Sequence, residues 1–549
     1  MTSGITEKPT TTTSSSTTQN QIAKGSPESL QTLFTLHRSI EKQYQLFSWP
    51  PQLQNIAVVT EVAAGRGDIS AAAKVIRLMQ KMEPSLRFEW IVLTNKYDLP
   101  SFLEGSDLTK ITIRNLDSLY EEPILADFLV GGPVKPNMST EEIQSKFKIS
   151  LKGTRFNFLE NASAPKTEEI VAAACSEMQL HEDLDALYRK VHKILFGSLE
   201  QFSSGVIMGL QQGSGVFFDE SRLNASLSLG YCCPSYLLQL EDTELKRDLC
   251  AALCVEKSGD MPDYNQHSFN SGYAHRPVSW AKFIDFVAIH ETVKNVTIVL
   301  NQHGEFDKLN TEQFAEQIFT EARLEFLQTQ GYTAVTIKGQ EEKPIYFQMT
   351  TMLKRQLTIV VRPSFKPSDM KYLQLASERL LATGDNTAAE AWAAKCKLYV
   401  YEDVANKGCK GDFLKQQVEV AKTISQDLGT LLHLFGKNNV PLSSEEMEQA
   451  VSILQNSSLA EETLQFCQQI TQQYSFAPVL EGALKRAAWQ QCIPKLIEEE
   501  ADAMDRTWKE GLIQFLWNTS LSLREIAPIE NLTLISQRAQ QLIQIKQII

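Results

Sequence analysis

Gly384, Asp385, Asn386 and Thr387 stand together, with Glu390 three positions beyond Thr387. A glycine ahead of short polar residues lets a strand turn straight into a helix. The first N–H groups of that helix have no partners within it. With the helix dipole they make a ready seat for a phosphate group. Asn386 and Thr387 add hydrogen-bonding side chains at the seat, and Glu390, one turn on, offers a carboxylate to which ribose hydroxyls can donate. An ordinary reading stands beside this one. Thr387 through Glu390 also spell a capping box, with Thr387 capping a helix that starts there and Glu390 reaching back.

Further candidates lie elsewhere in the chain. Gly65 and Gly67 flank Arg66, and Asp68 follows. This glycine turn lacks the third glycine of a dinucleotide fingerprint and the Lys-Ser/Thr of a P-loop. Asp68 can be a plain N-cap, and Arg66 a solvated loop charge. Arg362 ends an apolar run; its guanidinium suits a diphosphate, and an ordinary surface ion pair is the other reading. Residues 267–277 gather His267, Tyr273, His275 and Arg276 in what reads as a loop, either lining a cleft or merely connecting two elements.

The elements that must position these residues follow from periodicity and punctuation. Asn55–Thr60 is a short apolar strand. A helix follows over about 70–81, then strands over 87–94 and 108–114. Strand, glycine turn, helix, strand is the opening of a doubly wound sheet. A strand end is expected at 127–133, helices at 167–175, 184–195 and 242–256, and a strand at 204–211. A second α/β unit starts at Val293. It continues with one helix over 311–328, strands at 332–338 and 357–362, a helix over 368–378, a strand at 380–382, the helix after Gly384, and a strand at 397–401. From 411 onward only helices are expected: 413–434, one starting at Ser443, then 459–474, 479–490, 495–517 and 532–549. No heptad is sustained there. Trp489, Trp508 and Trp517 fit a helical core, with partner docking as the other reading.

The fold class expected is α/β: two Rossmann-like lobes plus an all-helical C-terminal region. Its parts are a disordered Thr/Ser-rich tail over 1–27, which includes a polar tract at 10–18 that cannot bury apolar area, an N-terminal lobe over 28–290, a C-terminal lobe over 291–410, and helices over 411–549. A helix is expected over 27–45. A chain of 549 residues exceeds one ordinary core.

Composition excludes several classes. A formal net charge of -13 argues against a general nucleic-acid binder. No apolar run approaches the ~20 residues of a transmembrane helix, and residues 1–8 lack the apolar centre of a signal peptide. The protein is therefore expected in the cytoplasm, or secreted without a cleaved signal. Nine scattered cysteines suit reduced thiols. Cys250 and Cys254, four apart, lack a matching Cys/His pair, so no metal site is expected. The motifs of serine hydrolases, zinc proteases and protein kinases are missing.

A glycine, a threonine three residues on and a glutamate six on, at the fourth strand–helix turn of a Rossmann-like unit, resemble the donor site of GT-B fold glycosyltransferases. Gly384, Thr387 and Glu390 resemble that of the peptidoglycan N-acetylglucosaminyltransferase. More loosely, they and Gly67-Asp68-Ile69 resemble the protein-arginine rhamnosyltransferases. The resemblance covers roughly 55–95 and 293–402.

It implies a GT-B-like enzyme moving a sugar from a nucleotide-sugar substrate to an acceptor, a protein among the candidates, with no cofactor. Gly384, Asp385, Asn386, Thr387 and Arg362 would hold the diphosphate and Glu390 the ribose. Gly65, Arg66 and Gly67 would line the facing turn and help bind the donor, Arg66 meeting its phosphates, with Tyr273, His275 and Arg276 in a cleft loop. Asp68 would be the general base, with Glu61 as second choice, and direct displacement would invert the anomeric centre. No Asp-x-Asp marks the strand end where GT-A enzymes hold a metal, so metal-independent transfer is implied. Two rivals stand: a nucleotide-sugar hydrolase or epimerase of the same fold, and a non-catalytic protein acting through its C-terminal helices.

Overall fold

The structure is a computed structural model. It describes residues 42–498 apart from several interior stretches, the longest being 160–203 and 224–265. The Thr/Ser tail, Trp508, Trp517, the Cys250–Cys254 pair and the helices expected at 167–175, 184–195, 242–256 and 532–549 lie outside the described residues, as does almost all of the helix expected at 27–45.

Two parallel sheets carry the molecule. The first is built from β1 (Asn55–Thr60), β2 (Arg87–Val92), β3 (Ile111–Arg114), β5 (Phe128–Gly131), β7 (Arg155–Leu159) and β8 (Ser204–Ile207), in the order β3-β2-β1-β5-β7-β8. Beside it, β4 (Ile124–Ala126) pairs in parallel with β6 (Ile149–Leu151). Five of the six residues of β1 are buried, as a parallel strand covered on both faces requires. Helix α1 (Arg66–Met82) packs on this sheet, and α2 (Thr140–Lys146) lies near its other face.

The second sheet holds β9 (His267–Tyr273), β10 (Asn295–Asn301), β11 (Tyr332–Lys338), β12 (Ile345–Gln348), β13 (Arg355–Arg362), β14 (Arg379–Thr383) and β15 (Leu398–Glu402). Their order is β12-β11-β13-β10-β9-β14-β15, with only β12 antiparallel to its neighbour. The connecting helices are α3 (Pro277–His290), α4 (Thr311–Ile318), α5 (Glu321–Thr329), α6 (Pro367–Ala376) and α7 (Asp385–Ala393). The single helix expected over 311–328 is two helices. Phe319 leaves helical geometry between them and stacks on Phe347, ring centroids 5.9 Å apart.

His267–Tyr273, read from sequence as part of a loop, is a central strand of this sheet. Its polar side chains bond to one another and to their surroundings. Asn270 Nδ2 donates to the Thr297 carbonyl at 3.3 Å, and the hydroxyls of Ser271 and Ser377 are 2.7 Å apart. Gly272 is required by close approach, since a Cβ there would lie 2.6 Å from that of Leu381 on β14. The second sheet therefore begins about 26 residues ahead of Val293, the start read from the apolar pattern.

Five more helices follow: α8 (Gly411–Lys422), α9 (Gln426–Gly436), α10 (Ser444–Leu454), α11 (Leu459–Gln473) and α12 (Phe476–Glu498). The single helix expected over 413–434 breaks at Thr423–Ser425. There Thr423 Oγ1 donates to the Val420 carbonyl at 2.7 Å. The described helices do not share one core. Phe413, Leu431, Ile453 and Phe466 join the second sheet's core. Phe476, Leu480, Leu484 and Trp489, on α12, join the first sheet's core with Tyr44, Trp49 and Phe128. Trp489 Nε1 donates to the Ser48 carbonyl at 3.2 Å. Among the described residues no helix is long and apolar enough to cross a membrane.

Candidate functional site

Strand order locates the crevice in each sheet. From β1 the chain runs through α1 to β2 and β3 on one side, while β5 lies on the other side of β1. From β9 it runs through α3 to β10, later crossing back through α6 to β14 on the far side of β9. Ligands of such sheets bind outside the carboxyl ends of the strands, where the order reverses. The residues after β1 and those after β9 and β14 are therefore the ones to inspect. They are the segments nominated from sequence.

These two switch points face each other. A Cβ on Gly67, the second residue of α1, would sit 3.9 Å from the Cβ of Asn386, the second residue of α7. Lys74, two turns along α1 and 4% exposed, donates from Nζ to Asn386 Oδ1 at 2.7 Å and to the Phe217 carbonyl at 2.9 Å. Two helix N-termini thus meet, each raising the potential that favours an anion.

On the second lobe, Gly384 is the N-cap of α7 at φ +80°, a conformation that disfavours any side chain, and it places no side chain over the first turn. Asp385 is the first residue of α7; its side chain lies outside the described residues. The helix starts two residues before Thr387, so the capping box read there is not formed. Glu390 bonds sideways instead. Its Oε1 accepts from Asn386 Nδ2 at 3.1 Å and its Oε2 from Gln374 Nε2 at 2.8 Å. Thr387 is half-buried in the first turn.

Register sets the rest of this rim. Asn301 pairs with Tyr273 on one side and Arg362 on the other, and Thr383 pairs with Glu402. Glu402, 3% exposed, gathers three donors: the His275 N–H at 2.8 Å, Ser279 Oγ at 2.8 Å and Thr383 Oγ1 at 2.6 Å. One buried carboxylate thereby ties the segment after β9 to the end of β14. Tyr273 and His275 meet edge-to-face, centroids 5.3 Å apart. Arg276 is the N-cap of α3, and its Nη1 is buried with no hydrogen-bond partner among the described residues; Asn301 Oδ1 is in the same condition.

On the first lobe, Asp68 is buried and stands third in α1, so it is not the N-cap that the bland reading offered. Glu61 is half-buried just past β1. Gly65 and the Arg66 side chain lie outside the described residues. Among the described residues no three His, Cys, Asp or Glu side chains come close enough to hold a metal.

Sequence reading missed Lys74, Gln374, Thr383, Glu402 and Asn301. Lys74 carried a signal, being a lone charge among Ala71, Ala72, Ala73, Val75 and Ile76, all buried. Glu402 carried none, since an acidic residue at a strand end is ordinary.

A family described as a protein of unknown function, DUF562, matches residues 279–422, from the first turn of α3 to the end of α8. No curated protein matches. Several solved glycosyltransferases align along the chain. One is a glycosyltransferase from Rickettsia africae ESF-5, at 13% identity and TM-score 0.39, covering 80% of this chain and 98% of that one. A UGT transferase from Siraitia grosvenorii in complex with UDP aligns at 9% and 0.37, covering 79% and 99%. The structure described as the basis for EarP-mediated arginine glycosylation of translation elongation factor EF-P aligns at 10% and 0.36, covering 78% and 97%. Likenesses at this level carry no functional weight; the crevice has to supply it.

Proposed function

We propose that the chain is a GT-B-like glycosyltransferase. It takes a nucleotide sugar in the crevice between the two sheets and passes the sugar to an acceptor by a single inverting displacement that needs no metal. The observation that carries this reading is the meeting of two glycine-led helix N-termini, at the two switch points, across the distance from Gly67 to Asn386. The diphosphate sits at the start of α7, against its N–H groups and Thr387, with Arg362 and Arg276 from neighbouring strand ends. Cationic side chains and helix dipoles stabilise charge that develops on the leaving diphosphate. Glu390 accepts from the ribose. Asp68 takes the acceptor's proton as its nucleophile attacks the anomeric carbon from the first-lobe side, with Glu61 the second candidate. The helices after 411 are committed to the two cores, so among the described residues they offer no separate docking module for an acceptor.

The decisive experiment is a calorimetric panel of nucleoside diphosphates and nucleotide sugars on the full chain. At least one should bind, and the pair Thr387→Ala, Glu390→Ala should weaken it by about tenfold or more, as loss of hydrogen bonds to a charged group implies. Unchanged affinity in that pair would remove the donor-site assignment. Asp68→Asn should keep donor affinity and lose turnover; turnover at the wild-type rate would refute the base role.

A further inference from the structure

Lys74 has no assigned part in this scheme, although its ammonium stands in the crevice. Burying a charge that could reach water is costly. Its Nζ spans from the first lobe to the second, donating to the Phe217 carbonyl of the first core and to Asn386 Oδ1 on α7. The Phe217 ring lies 5.9 Å from the same nitrogen.

The acceptor on the second lobe is Asn386 Oδ1, carried by the second residue of the helix whose N-terminus would seat the diphosphate. Its 2.7 Å distance from Nζ is that of a charge-assisted hydrogen bond. The other end of the same amide donates to Glu390, which Gln374 also holds. Lys74, Asn386, Glu390 and Gln374 thus form one line of hydrogen bonds from the first lobe into the proposed ribose contact.

We infer that Lys74 is a further catalytic residue: the first-lobe cation that meets the departing diphosphate, its position held by Asn386 Oδ1 until a phosphate oxygen takes that place. The inference rests on the donor-site reading above. In the transfer, the bond between the anomeric carbon and the bridging phosphate oxygen breaks, and its electron pair stays on that oxygen. The acceptor's heteroatom forms the new bond to the anomeric carbon and gives its proton to Asp68. Lys74 gains and loses no proton; it neutralises the charge that arrives on the diphosphate.

The test compares wild type with Lys74→Met and Lys74→Arg in the full chain. Binding of UDP, GDP, dTDP and ADP, and of the four unphosphorylated nucleosides, is measured by calorimetry, and thermal melting checks the fold. Lys74→Met should weaken the best diphosphate by roughly tenfold to a hundredfold, the size of a lost charge-assisted contact. Nucleoside affinity should stay at the wild-type value, and Lys74→Arg should recover most of the loss. Should Lys74→Met fail to melt cooperatively, Lys74→Gln carries the same comparison. A diphosphate affinity unchanged in the neutral variant overturns the inference, as does an equal loss for diphosphate and nucleoside; Lys74 is then only a tie between lobes and the crevice reading survives. Wild type that binds none of the four diphosphates sinks both.

Discussion

The second sheet's two ends differ in how completely their cationic side chains are answered by the described polypeptide. At the amino ends of its strands, Arg355 donates to the Tyr332 hydroxyl and to the Gln330 and Lys294 carbonyls, at 2.7, 2.7 and 3.2 Å, and to the Glu291 carbonyl. Arg379 bonds His290, Ser268 and Asn270, with Glu291 at 3.5 Å and Glu378 at 3.6 Å. The polypeptide answers these groups internally, and the cluster is a structural clamp. At the carboxyl ends, Arg276 Nη1 and Asn301 Oδ1 are buried with no hydrogen-bond partner among the described residues, beside a helix whose first turn carries no side-chain cap. Answered charge costs little to keep and specifies a fold; unanswered polar groups cost stability and persist where a ligand completes them. The contrast is one of degree, since Glu402 at the carboxyl ends is itself answered by three donors.

The largest effect is expected at the clamp. Arg379→Met should leave Glu291 and Glu378 buried against an apolar chain and cost about 4 kcal/mol by urea denaturation. A loss below about 1 kcal/mol would show that the network is not the clamp it resembles.

Next comes Asp285, in the same lobe on α3, paired in two hydrogen bonds with Arg323 at 3.0 and 3.1 Å. Burial pushes its carboxyl up to about 6, against the pull of Arg323. The folded state then holds the proton more tightly than the unfolded chain. Its contribution to stability is complete below about pH 4 and is lost as pH rises through about 6. A displacement from 3.8 to about 6 corresponds to roughly 3 kcal/mol. Urea midpoints from pH 4 to 7 should fall in wild type relative to Asp285→Asn; parallel curves would mean that Arg323 repays the burial in full. Glu291, whose carboxyl the N–H groups of Lys294 and Val293 and the charges of Arg379 and Arg355 hold below its ordinary range despite burial, works the other way. Its contribution is present above the usual carboxylate range and is lost as pH falls.

Gly384→Ala probes the carboxyl ends. At φ +80° an alanine is strained by about 1–2 kcal/mol, so melting should drop by that amount while diphosphate affinity falls further as the helix mouth shifts. The smallest stability change belongs to Arg276→Met. Removing a guanidinium nitrogen that has no hydrogen-bond partner among the described residues should leave stability within about 0.5 kcal/mol of wild type, and diphosphate affinity should still fall about tenfold. A large stability loss with intact binding would place Arg276 with the clamp and blur the contrast.

The sequence by itself determined most of what local pattern can encode. Apolar runs such as residues 55–60 and 357–361 declared parallel strands, because strands covered on both faces must be apolar throughout. Gly384 ahead of short polar residues marked a strand-to-helix turn, because few other residues tolerate that backbone. The nominated turns at 65–68 and 384–387 both lie at switch points for this reason. Only the tertiary structure decided the rest. His267–Tyr273 hid as a loop because its polar groups find partners from distant elements, such as Thr297 and Ser377. Thr387 and Glu390 fit a capping box on paper, yet α7 starts two residues earlier, at a turn whose geometry Gly384 alone sets. Lys74 and Asn386 lie 312 positions apart, and Glu402 and His275 lie 127 apart. Hydrogen bonds of that span leave no periodic trace along a chain, since they arise from how two sheets and their crossing helices are stacked.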